Sequence, residues 1–237
     1  MEFEINLQLF SGHGGYSGIR GGSGTRVYEK SGGYIDLKDN PLKYGRKDDM
    51  LKGDSRKAIE EFELEKVHAD REYSRVVDKN GNVYSERKGG KGSVYIETKP
   101  GEDGQTGSHN HPREIGMLGG TFSNADIDSF STDTKLKTLR ATAKEGTYSI
   151  SKGKNFDGAG LMAYKESERN RLILERKERN RNIKKMYSNG DISEAKAYEL
   201  QRKSFNKFLV DVHNSLIAGQ KTYGYNYTLE RPKWRKK

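Results

Sequence analysis

Apolar residues recur along this chain with two different periods, and the change of period marks its parts. The opening MEFEINLQLF alternates polar and apolar positions, as a strand does that joins its own sheet or that of a neighbouring subunit. Ser11 to Gly24 is mostly Gly and Ser and recovers too little contact energy to offset its ordering entropy, so it reads as a flexible linker. Residues 25–57 are turn-rich, with Gly32-Gly33, Asn40-Pro41 and Gly53, and form a loop-rich arm or lid. Between Ala58 and Asp70, Ile59, Phe62 and Val67 stand near helical spacing among acids, which predicts a short amphipathic helix.

Period two then takes over. Tyr73 to Asp78 and Val83-Tyr84 flank the turn dipeptide Asn80-Gly81, and Ser93 to Ile96 reads as the third strand of an antiparallel meander. Gln105 to His111 is the next strand, Asn124 to Phe130 opens a helix with Ser123 as its N-cap, and Leu139 to Ala143 pairs with Tyr148 to Ser151 as a terminal hairpin. Lys165 to Tyr187 is almost wholly charged and free of Gly. From Ile192 to Ile217 the apolar positions Ala195, Leu200, Phe205, Leu209, Val212 and Leu216 recur at helix-like intervals. Two antiparallel helices turning at Asn189-Gly190 are predicted. Tyr223 to Tyr227, Trp234 and Arg235 to Lys237 leave an aromatic, basic tail suited to a protein interface.

These elements imply an α+β fold class: a small mixed or antiparallel sheet with packed helices, a flexible Gly-rich N-terminal arm and a C-terminal α-helical hairpin. The expected division is 1–57 as arm and linker, 58–163 as a core able to fold on its own, and 164–237 as basic hairpin and aromatic tail.

Composition narrows the chemistry. The 237 residues include no cysteine, which removes disulfides, thiolate metal sites and a cysteine nucleophile, so any metal must use His, carboxylate and water. Hydrophobic residues are 31% and charged residues 33%, so long exposed segments are expected. No apolar run is long enough to span a bilayer, and Glu2 and Glu4 stand where a signal peptide would be basic, which predicts a soluble chain with no membrane partner. The formal charge is +10. Residues 1–163 hold 25 Lys+Arg against 25 Asp+Glu, so the whole excess comes from residues 164–237, a surface for non-specific nucleic acid through the basic helices. Glu168, Glu175 and Glu178, interleaved there, fit a solvated face equally well. The remaining histidines, His13, His68 and His213, are assigned surface or packing roles.

His109 and His111 stand two apart, so on an extended strand both imidazoles point to one face, as two ligands of one ion must. Asp126, in the first turn of the helix capped by Ser123, offers a third ligand. Such a set leaves a coordination position for water.

His109-Asn110-His111-Pro112 followed by Ser123-Asn124-Ala125-Asp126 resembles the JAB/MPN metalloprotease superfamily, in particular its RadC-like and phage-encoded branches. The resemblance covers Val67 to Ile150. It implies a zinc ion on His109, His111 and Asp126, with Ser123 helping to hold an oxyanion and an upstream Glu as general base. Glu72 is the best match for that base, with Glu65 and Glu97 as competitors. The interval from His111 to Asp126 is longer than is usual in that family, the excess falling between Arg113 and Gly120.

Asn6 to Phe10, the Gly-rich stretch after it, and Tyr223 to Tyr227 are similar to parts of minor head or head-morphogenesis proteins of tailed phages. This likeness implies a minor capsid protein, present in the host cytoplasm during assembly and then in the virion. Its terminal arms would dock on capsid, portal or connector proteins, and an oligomer is possible. Two other readings stand beside it: a zinc-dependent amide or isopeptide hydrolase or toxin-like effector, and a DNA-associated structural protein with a decayed site.

Overall fold

The computed structural model describes residues 42–46, 51–113 and 117–232; the Gly-rich linker, most of the N-terminal arm and the end of the tail lie outside them. The first helix, α1 (Gly53–Lys66), buries Ile59 and Phe62 as their spacing predicts, together with Glu63; it begins inside the expected loop-rich arm and ends before Val67, which is its C-cap. It leads into an antiparallel pair, β1 (Tyr73–Val77) and β2 (Val83–Lys88), closed at Gly81, whose φ of 89° is one a residue with a Cβ seldom adopts.

The chain does not then continue as a meander. Ser93 to Ile96 adds no strand. The segment lies against β1 and β2, tied down where Ser74 Oγ donates to the Tyr95 carbonyl (2.7 Å) and Ser85 Oγ to that of Glu97 (2.8 Å). The ladder position beside β1 goes instead to β3 (Gln105–Asn110), antiparallel to it. From β3 the chain passes through α2 (Asn124–Thr132) to β4 (Leu136–Ala143), which runs parallel to β3. β5 (Gly146–Lys152) returns antiparallel.

Two long helices come next, α3 (Gly158–Ser188) and α4 (Glu194–Tyr223), turning at Asn189-Gly190 as the sequence indicates. The Ser193 side chain accepts from Lys196 N to start α4, and Gly224 ends it in the left-handed conformation. The Tyr-rich segment is then not a free tail. It is β6 (Tyr225–Glu230), paired with β5, so that β4 and β5 are not a terminal hairpin; the sheet order is β2-β1-β3-β4-β5-β6. Tyr225 and Tyr227 are buried because alternate residues of a strand share one face, and here that face meets α4.

The two faces of the sheet differ. Leu139, Ala141, Tyr148, Ile150, Tyr227 and Leu229 pack with residues of α2, α3 and α4 into one apolar cluster. Part of that cluster therefore comes from α4 and β6, and residues 58–163 do not contain the whole core. The opposite face is mainly polar, apart from a small apolar cluster of Leu51, Ile59 and Val77. There Arg140, fully buried, donates to Glu63 Oε1 (2.7 Å, from Nε) and Glu230 Oε1 (2.9 Å, from Nη1), tying α1, β4 and β6 together. Burial opposes the Arg140 charge, and the two carboxylates outweigh it, so the group stays ionised. Among the described residues no helix is long and apolar enough to cross a membrane.

Candidate metal centre

β3 is buried from end to end although its sequence, QTGSHN, is polar. A central strand can carry such residues only if each polar group finds a partner. Gln105 closes a loop by accepting from Lys99 N and donating to the Lys99 and Glu102 carbonyls, and Ser108 donates to Glu63. The strand's alternation sends His109 and His111 to the opposite face from Ser108, toward α2.

There the two imidazoles meet. His109 Nε2 and His111 Nε2 are 2.9 Å apart, and Asp126 Oδ1 lies 3.4 Å from His109 Nε2; the three ligand atoms all fall within 4.8 Å of one another. Two of the three are oriented from behind, while His109 Nδ1 is buried without a hydrogen-bond partner. His111 Nδ1 donates to the Gly120 carbonyl (3.0 Å), which leaves its Nε2 lone pair facing the other two groups. Gly120 is in turn fixed by Glu145, whose carboxylate accepts from Gly119 N and Gly120 N (3.0 and 2.8 Å). Asp126 Oδ2 accepts from Ser123 N (2.7 Å) while Ser123 Oγ accepts from Asp126 N (3.1 Å), a capping box that fixes the carboxylate with Oδ1 turned inward.

Protonation is set by this packing. Burial and the neighbouring His109 push His111 down to about 3, so it is a neutral acceptor. Burial works against charge on His109 too, but Asp126, with help from Glu72, outweighs it and raises that imidazole above its ordinary value. Asp126, although desolvated, is held well below the usual carboxylate range by His109. A proton on His109 Nε2 thus stands between Asp126 and His111, at the point where the three ligand atoms converge.

Glu72 stands two residues before Ser74, whose register partner is His109, and so presents its side chain on the same face. It is 6% exposed. Burial, more than any neighbour, raises its carboxyl to about 7; the charges of His109 and Asp126 also act on it, in opposite directions. Of the three glutamates considered, it alone has this neighbourhood: Glu65 is exposed beside Lys66, and Glu97 pairs with Arg87. The residues that the sequence singles out, Glu72, His109, His111, Ser123 and Asp126, are brought by the structure to one place. His213 packs in the core, and His68 is exposed.

Two contributors were missed. Asn110 accepts from Tyr73 N (2.7 Å) and donates to the Arg71 carbonyl (2.9 Å), gripping the backbone on either side of Glu72. Its place between two candidate ligands in one strand was the available signal. Glu145 reads in the sequence as part of a turn, and only the fold sets it under the Gly119-Gly120 loop. No protein-family model, curated protein or solved structure matches the chain.

Proposed function

We propose that the protein is a metal-dependent hydrolase of amide or isopeptide bonds, with zinc held by His109 Nε2, His111 Nε2 and Asp126 Oδ1. The donor set fits that ion. Ligands at about 2.0–2.1 Å in a tetrahedron stand roughly 3.3 Å apart; the two separations that involve His109 are 2.9 and 3.4 Å, and all three atoms lie within 4.8 Å of one another. Two imidazoles and one carboxylate also leave a position for water. When bound, the ion would supply Lewis-acid chemistry to that water and to a substrate carbonyl.

The observation that carries the reading is the convergence of His109, His111 and Asp126, with the buried carboxyl of Glu72 presented on the same face. A buried carboxyl on that face can take a proton from water and return it to a leaving nitrogen. The Ser123 hydroxyl already accepts from Asp126 N, which leaves its hydrogen to donate to a developing oxyanion. The resemblance to the JAB/MPN superfamily supports the same assignment.

Elemental analysis tests it. The full chain exposed to micromolar zinc and desalted should retain about one ion, and the double variant His109→Ala, His111→Ala should retain none. Glu72→Gln should keep the ion and lower hydrolysis of a peptide and isopeptide library by about 100-fold or more. Wild type that takes up no zinc, or a Glu72→Gln protein as active as wild type, overturns the reading.

A further inference from the structure

Beside the trio, α3 carries a lysine where a soluble domain rarely tolerates one. Lys165 is 3% exposed and has no hydrogen bond or ion pair with any described residue. It lines a small cleft with Arg169, one helical turn further on, and with Ser123 and Asn124 at the start of α2; Phe208 and Val212 of α4 form an apolar wall. Burial pushes the Lys165 ammonium down to about 7, Asp126 opposes that shift, and Arg169 adds to it. Asn124 Oδ1, also buried, lacks a donor. A lysine this buried, with no hydrogen-bonded partner and only the charge of Asp126 to favour its ionised form, and an acceptor without a donor are both costly, and both residues line the same cleft. The free N–H groups at the start of α2 add positive potential there.

We propose that this cleft is a carboxylate subsite. Lys165 and Arg169 receive the carboxylate of the residue on the leaving-group side of the scissile amide, and Asn124 Oδ1 accepts an N–H beside it. The substrate class is then N-acyl amino acids and the C-terminal residues of peptides. The apolar wall favours an organic carboxylate over inorganic phosphate, which would bring a second charge and no apolar surface. The assignment of the bond cleaved rests on the metal-hydrolase reading; carboxylate binding does not. In that reaction the C–N bond of the amide breaks, water's oxygen bonds to the acyl carbon, and the water proton taken by Glu72 passes to the departing nitrogen, giving a carboxylic acid and an amine; the acid's remaining proton then passes to the amine or to solvent, leaving a carboxylate.

The test is calorimetric titration of the full chain, with and without zinc, using N-acetyl-leucine and its uncharged counterpart N-acetyl-leucinamide. The carboxylate should bind at least about tenfold more tightly, and Lys165→Met should erase that preference while leaving zinc uptake unchanged. At about pH 8, where Lys165 is mostly neutral, binding of the carboxylate to wild type should take up close to one proton, seen by repeating the titration in buffers of different ionisation enthalpy. A lysine that served only packing would give no such uptake. Equal binding of the two probes, an intact preference in Lys165→Met, or inorganic phosphate binding as tightly as N-acetyl-leucine overturns the subsite. Zinc uptake without carboxylate preference removes this inference and spares the metal centre; carboxylate preference without zinc uptake does the reverse.

Discussion

Asn110 lies between two imidazoles in sequence and serves neither of them. Its amide bridges Arg71 and Tyr73, and so fixes the backbone that carries Glu72. The tripeptide His109-Asn110-His111 therefore does two jobs through strand alternation alone: its outer residues converge on one point, and its middle residue secures the group that faces them. Asn110→Ala should leave zinc affinity within about threefold of wild type while lowering hydrolysis by roughly 10- to 100-fold, because a base displaced by an ångström loses much of its effectiveness. Parallel measurements of zinc affinity and turnover check this; a proportional loss of both would show that Asn110 supports the strand and not the base.

The two ends of α2 and the last strand are set by different physics. Ser123 and Asp126 would form a capping box in any helix, so their spacing alone is compatible with a purely structural role. What changes its meaning is that only Oδ2 of Asp126 is used in the box, leaving Oδ1 toward His109. Helix α4 and β6 bear on stability more directly, since Phe205, Phe208, Leu209, Leu216, Tyr225 and Leu229 all belong to the main apolar cluster. Removing large buried side chains costs roughly 2–5 kcal/mol each, against a total stability of about 5–15 kcal/mol. A chain ending at Ala163 should therefore show no cooperative thermal transition by circular dichroism. A cooperative melt near that of the full chain would show that residues 58–163 stand alone.

Across the whole molecule, acid should act through a core histidine as well as through the site. His213 Nε2 donates to the Lys43 carbonyl (3.0 Å), and Nδ1 lies 2.8 Å from the Tyr227 hydroxyl, so one residue of α4 joins β6 to the chain segment before α1. Burial pushes its imidazole down to about 4, against an ordinary value of 6.5. The neutral ring is thus favoured in the folded state. Its contribution is fully present above pH 6.5 and is lost as pH falls from there through about 4, at most about 3 kcal/mol. Denaturant unfolding measured across that range should show loss of stability with acid, and His213→Gln should flatten it by the equivalent of about one proton. An unchanged slope would show that His213 titrates alike in both states.

Much of this architecture was legible in the chain, and the limits of that legibility have a physical pattern. Local periodicity revealed α1, the turn at Gly81, the capped start of α2 and the long helical pair, because each depends on residues a few positions apart. It misplaced Ser93 to Ile96, since a β-rich run does not say which edge it will pair with, and β3, from further along the chain, took the place beside β1. It read Tyr225 and Tyr227 as a sticky tail because nothing local reveals that the edge of β5 stands open to receive them.

The sequence by itself determined that His109 and His111 share a face and that Ser123 caps the helix bearing Asp126, since strand and helix periods are properties of the backbone. Only the tertiary structure decided that this carboxylate meets those rings, that Glu72 and Lys165 lose their water beside them, and that Asn110 and Glu145 hold the supporting loops. Contact between residues far apart in the chain, and the desolvation that changes their proton affinities, exist only once sheet and helices have closed over them.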